Sequence, residues 1–220
     1  MGVLLLVRHG QASLGTADYD RLSDLGRRQA QVTGARLAEA DLVVDRVVSG
    51  TLTRQRDTAL AVLVALGRPG SELRIDERLD EYDHVEVMAR HTAGITFETA
   101  TASGETGLAL QSALEEAIGR WISGGTGYAE AHDAFIGRVL GAVRDLAAAP
   151  GGTVAVTSGG VIAAICAWAL GLPIERWPGL ARLLVNASIT KVISGQTGTH
   201  LVTFNDHAHL ESDRALITYR

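Results

Sequence analysis

The chain has 220 residues, 46% of them hydrophobic and 20% charged, the usage of a soluble globular protein and far from the profile of disorder. Twenty Lys and Arg against 25 Asp and Glu leave a formal net charge of −5, which does not advertise the basic face that a nucleic-acid partner requires. An anionic partner is therefore expected to be small and held by a few local arginines against a negative overall field, hence in a pocket.

One cysteine, Cys166, allows no intramolecular disulfide and lacks the spacing of a zinc site, so neither staple nor metal is expected and a reducing cytoplasm is the simple assignment. The start, MGVLLLVRHG, has no basic stretch before its apolar run and no cleavage site after it. The longest apolar stretch, Val161 to Leu172, falls short of a membrane span, so no membrane partner is expected.

Gly2 to Val7 is a continuous apolar run that stops at Arg8-His9-Gly10, the pattern of a central strand buried on both faces and delivering polar residues at its C-terminal end. Ser23 is placed to cap a helix running to about Ala40. A second strand is expected around Arg46-Val47-Val48, a helix from about Leu52 to Leu66, and a third strand at Leu73-Arg74-Ile75 leading into Leu79-Asp80-Glu81. Residues 82–107 have weak periodicity and read as a lid over a site.

Helices are expected from about Leu108 to Trp121 and from Tyr128 to Ala149. A fourth strand follows at Thr153 to Thr157, then a turn at Ser158-Gly159-Gly160 and a helix from Val161 to Leu170. Ser188 to Ile193 and His200 to Phe204 predict a hairpin at the sheet edge. Alternating strands and helices without a linker predict an α/β fold in one domain over residues 1–220: a three-layer α/β/α sandwich with a mostly parallel central sheet and an antiparallel edge.

In such sheets ligands collect beyond the carboxyl ends of the strands, which singles out Arg8, His9, Ser49, Arg54, Glu81 and Ser158. Three segments carry more. Leu4 to Gln11, Leu22 to Ala30, and Ser49-Gly50-Thr51-Leu52-Thr53-Arg54 with Thr58-Ala59 resemble, in order and spacing, the histidine phosphatase (phosphoglycerate mutase-like) superfamily. The likeness continues through Leu79-Asp80-Glu81 and Val154 to Ile162.

What the resemblance implies is phosphoryl transfer in two steps: His9 attacks phosphorus and becomes phosphohistidine, and water or a second hydroxyl then removes the group. The residue types suit that chemistry, because a neutral imidazole is a competent nucleophile near pH 7 and Arg8 and Arg54 offer forked donors to the phosphoryl oxygens. No cofactor and no metal are implied. Glu81 matches the residue that protonates the leaving oxygen, although Tyr82-Asp83-His84 replaces the family's usual continuation.

A larger departure is Ser158, which stands where the family has a second phosphate-contacting His. The backbone N–H groups at Gly159-Gly160 are expected to help hold phosphate there, Gln11 to line the pocket, and His84 is a candidate to supply the missing imidazole. Replacing Ser158 by His is expected to restore a cationic donor unless its bulk crowds the phosphate. Many relatives carry an Asn where this chain has Gly15, and Asn186-Ala187-Ser188 and Phe204-Asn205-Asp206 read as turn chemistry.

The leading expectation is a metal-independent phosphatase of small phosphorylated metabolites. Phosphoglycerate mutase activity is one alternative; a degenerate, non-catalytic binder of a phosphate ligand is the other. A homodimer is left open.

Overall fold

The computed structural model describes residues 2–13, 20–91, 107–196 and 198–219. They divide into two compact units, Met1–Glu81 with Val139–Arg220, and Tyr82–Arg138.

The first unit is built on a six-stranded sheet: β1 (Gly2–Arg8), β2 (Val44–Ser49), β3 (Arg74–Ile75), β4 (Gly151–Thr157), β5 (Ile189–Gly195) and β6 (Gly198–Asp206). The spatial order is β3-β2-β4-β1-β5-β6, with β3, β2, β4 and β1 parallel and β5 and β6 antiparallel. This is the expected mostly parallel sheet with an antiparallel edge, and β1 lies in its interior.

Side chains of β1 alternate between two buried faces. Leu5 and Val7 join Val47, Val154, Val156 and Ile189 against Leu37 of helix α1 (Asp24–Ala38) and Ala59, Val62 and Leu63 of α2 (Thr53–Ala65). Leu4 and Leu6, equally buried, point the other way. A strand covered on both sides has no use for polar residues, which is why its sequence is unbroken Val and Leu until the sheet ends at Arg8. The later helix of this unit, whose residues Gly159 to Ala167 are all buried, packs on β1 and β6.

The second unit contains α3 (His84–His91), α4 (Gly107–Ile122) and the first turns of α5 (His132–Ala148). Tyr82 stacks on Trp121 at 5.1 Å between ring centroids and meets Phe135 edge-on at 5.7 Å, so its interior is an aromatic cluster. The lid expectation covered part of this unit; α3 was not anticipated, and residues 92–106 lie outside the described residues. The chain is completed in the first unit by α6 (Gly159–Ala169), α7 (Trp177–Ala181) and the edge hairpin.

Ser23 caps α1 as expected, its hydroxyl accepting from Gly26 N at 3.0 Å and donating to Gln11 Oε1 at 2.9 Å. The same place brings two backbones together: a Cβ at Gly26 would stand 2.1 Å from Gln11 O, and one at Gly10 would stand 2.3 Å from Gly26 O. The loop that follows β1 is thus pressed against the first turn of α1. Gly26→Ala should lower stability by about 1–3 kcal/mol, because backbone must move to admit the methyl group. Gly137→Ala, in a helix with open space at that position, should stabilise by roughly 0.5–1 kcal/mol. Urea unfolding midpoints of the two variants test this; equal midpoints would contradict it.

Candidate functional site

The β1–β4 ladder pairs Arg8 with Thr157, and His9 N continues it by donating to Thr157 O at 2.9 Å. His9 and Ser158 therefore leave adjacent parallel strands side by side. The His9 carbonyl is held from a third direction by Ala187 N at 3.2 Å and Asn186 Nδ2 at 3.3 Å. Asn186 is fully buried, and Ala187 takes the left-handed conformation at φ 62°. Turn chemistry describes the segment, yet the Asn186 side chain also fixes the backbone of His9.

The His9 ring is 6% exposed. Its Nδ1 lies 2.7 Å from Gly10 O, an acceptor only, which assigns the proton to Nδ1 and the lone pair to Nε2. Arg54 Nε donates to that lone pair at 3.2 Å. Burial holds the His9 pKa well below its ordinary value, the Arg54 and Arg8 charges push it the same way, and the Gly10 bond opposes them weakly. The result is a neutral imidazole whose Nε2 faces a guanidinium.

Arg54 sits in the first turn of α2 and is gripped by Asp20, whose Oδ1 lies 2.6 Å from Nη1. The other Asp20 oxygen accepts from Thr53 N at 2.7 Å, capping α2 where Leu52 at the N-cap position makes no side-chain cap bond. Asp20 was not singled out from sequence, since an acid in a polar loop has no local signal. Arg8 Nη1 donates to Leu184 O, and both terminal nitrogens reach Tyr219 O at 3.4 Å. A Cβ on Gly159 would stand 3.5 Å from Arg8 Nε, so the guanidinium flanks the start of α6.

Leu79-Asp80-Glu81 is anchored at each residue. Leu79 is fully buried and its carbonyl accepts from Thr157 Oγ1 at 2.5 Å and Gln55 Nε2 at 3.1 Å. Asp80 clamps Thr51, accepting from its N and its Oγ1 at 2.6 Å each. Glu81 is left directed at α6, where Oε2 accepts from Gly160 N at 2.9 Å. The sequence-based expectation had the amides at Gly159-Gly160 open to phosphate; in this structure the Gly160 amide is taken by Glu81.

His9, Arg8, Arg54, Glu81, Ser158 and Gly159 thus meet at the ends of β1 and β4 and the starts of α2 and α6. Gln11 is less central: its side chain is bonded by Ser23 and its N donates to Gln29 Oε1 at 2.8 Å. His84 opens α3 in the second unit. Gly15 lies outside the described residues. Sequence reasoning missed Gln55, fully buried, whose Nε2 donates to Ser158 Oγ at 2.9 Å. Among the described residues no group of His, Cys, Asp and Glu is arranged to hold a metal ion, and no helix is long and apolar enough to cross a membrane.

A family model described as the histidine phosphatase superfamily (branch 1) matches residues 4–207. The chain belongs to the histidine phosphatase superfamily. Glucosyl-3-phosphoglycerate phosphatase of Mycolicibacterium vanbaalenii is 35% identical over 196 residues, 80% of this chain and 78% of that protein. A 2,3-bisphosphoglycerate-dependent phosphoglycerate mutase of Sinorhizobium fredii is 37% identical over 90 residues, 38% of this chain and 42% of that enzyme. A solved mycobacterial glucosyl-3-phosphoglycerate phosphatase in complex with VO3 matches 93% of this chain and 99% of its own, at 26% identity and a TM-score of 0.63. This histidine phosphatase superfamily member therefore has both phosphatases and mutases among its relatives.

The depressed His9 pKa has a thermodynamic consequence. Unfolded, His9 titrates near its ordinary value of about 6.5; folded, it binds its proton only at lower pH. Its contribution to stability is therefore complete above about pH 6.5 and is lost as pH falls below that value, because the unfolded chain takes up the proton first. Buried His209, also held low chiefly by burial, acts with the same sign. Chemical unfolding between pH 7.5 and 5 should show stability falling with pH, and His9→Gln should flatten that fall without abolishing it. An unchanged slope in the variant would contradict the neutral, buried assignment.

Proposed function

We propose that this chain is a metal-independent phosphatase of small phosphomonoesters, working through a phosphohistidine on His9. The observation that carries the proposal is the His9 ring itself, with Nδ1 on Gly10 O and Nε2 unprotonated against Arg54 Nε. The Nε2 lone pair attacks phosphorus as the ester P–O bond breaks, and Glu81 gives its proton to the departing oxygen. Water then attacks the phosphoryl group, Glu81 takes the water's proton, and the P–N bond breaks to release inorganic phosphate and neutral His9. Arg54 and Arg8 bear the charge that builds on the phosphoryl oxygens, and Gly10 O stabilises Nδ1–H while the ring carries the group.

Glu81 enters this scheme as an acid, and its Oε2 also accepts from Gly160 N. An incoming phosphoryl dianion sets negative charge beside Glu81, which favours the protonated form that the first step needs. Substrate arrival loads the proton that the leaving group needs.

Hydrolysis is favoured over transfer because a relative matched over 78% of its length is a phosphatase, whereas a mutase match spans 38% of this chain. The ligands fitting this account are small phosphorylated metabolites, with Ser158, Gly159 and Gln11 around the phosphate. Incubation with ³²P-labelled phosphomonoesters should trap acid-labile phosphate on the wild type and none on His9→Ala. Turnover of p-nitrophenyl phosphate should need no 2,3-bisphosphoglycerate and withstand EDTA. Arg54→Lys, which cannot reach both His9 and Asp20, should lose about 10²–10³-fold in kcat. Absence of label on His9 would leave the non-catalytic binder in its place; dependence on the bisphosphate would favour the mutase.

A further inference from the structure

Gln55 has no part in the mechanism just given, although its amide is fully buried within that site. Its Nε2 donates twice, to Leu79 O at 3.1 Å and Ser158 Oγ at 2.9 Å, and because Leu79 O can only accept, the identity of the nitrogen is fixed. Its Oε1 finds no hydrogen-bond partner among the described residues. That oxygen also crowds Gly50, where a Cβ would stand 2.0 Å from it. An apolar side chain of similar length would fill the same space without burying an orphan acceptor, so what distinguishes the amide is its pair of N–H donors.

One of those donors determines what Ser158 does. Ser158 is 1% exposed and occupies the N-cap position of α6, yet its side chain makes no cap bond there. A hydroxyl that accepts from Gln55 keeps one proton to donate to another acceptor. The β1–β4 register sets Ser158 beside His9, at the position where the family pattern carries a second imidazole. The Gln55 amide lies 2.9 Å from the Ser158 hydroxyl, in the path of a larger side chain extended in the same direction.

We propose that Gln55 is a positioning residue that holds the Ser158 hydroxyl as a donor to a phosphate oxygen beside His9, the two side chains together replacing the family's second imidazole with a neutral hydrogen-bonding unit. This deepens the phosphatase proposal and rests on it for the chemistry, though not for the binding of phosphate. Charge stabilisation then falls to Arg8 and Arg54, and discrimination at position 158 is by hydrogen-bond geometry. With the Gln55 amide standing 2.9 Å from the Ser158 hydroxyl, a single Ser158→His exchange is expected to add no useful cation.

The test uses the full chain with inorganic vanadate as the binding probe and p-nitrophenyl phosphate as the substrate, for Ser158→Ala, Gln55→Met and the double variant. Ser158→Ala should weaken vanadate binding about tenfold and lower kcat by a similar factor with little change in KM. Gln55→Met, similar in length but without N–H donors, should do nearly the same, and the double variant should be no worse than either alone. Ser158→His should be impaired, and Ser158→His with Gln55→Ala should recover. Thermal melting of each variant separates loss of fold from loss of function. A Gln55→Met chain that melts lower but binds vanadate like the wild type, or losses that multiply in the double variant, would overturn the proposal. Vanadate binding that depends on both residues in a chain that never labels on His9 would overturn the phosphatase reading and leave this one standing.

Discussion

A buried imidazole deprived of its proton is the condition on which the rest of this site depends. His9 is 6% exposed, flanked by two guanidinium groups, and bonded through Nδ1 to the carbonyl of the next residue. Burial alone disfavours the imidazolium, and two neighbouring positive charges disfavour it further. The Gly10 carbonyl decides which nitrogen keeps the proton. With those three constraints in force, Nε2 carries the lone pair, and Arg54 Nε is directed at it. Each neighbouring element is then intelligible by how it serves that ring: β4 places Thr157 O on His9 N, the turn before β5 holds its carbonyl, and Asp20 holds Arg54.

The site is assembled from polar contacts made at the ends of the sheet, and that construction sets its rigidity. Leu79 O receives both Thr157 Oγ1 and Gln55 Nε2, so the segment leading to Glu81 is tied to β4 and α2 at once. Asp80 adds two bonds to Thr51. Buried networks of this kind hold a geometry tightly when each donor is matched, and they make single substitutions costly for the neighbours left behind. The close approach of Gly10 and Gly26 serves the same end from the other side, seating the loop after β1 on the start of α1.

Much of the sheet was legible because its strands obey a strong local rule: a parallel strand covered on both faces is apolar throughout, as in Leu4-Leu5-Leu6-Val7, and stops where the cover stops. The cap of α1 was legible for a similar reason, Ser23 being a hydroxyl placed just ahead of a helical stripe. Helix α3 was not, since His84 to His91 alternates charge and apolar residues over too few turns to separate from loop. Of the site, His9, Arg8, Arg54 and Glu81 could be picked out because strand ends and the family pattern coincide there. Asp20, Asn186 and Gln55 could not, because what each does depends on a partner distant in the chain: Arg54, His9 and Ser158. The Gly160 amide is the instructive case, where sequence supplied a helix start suited to an anion and the folded chain supplied its own anion, Glu81.

The central claim concerns the state of one ring, and nitrogen-15 NMR of histidine-labelled protein reads that state directly. The account predicts that His9 is the neutral Nδ1–H tautomer at pH 7 and stays so well below pH 6.5, with its resonance identified by its loss in His9→Gln. A His9 that titrates near pH 6.5, or that carries its proton on Nε2, would contradict it.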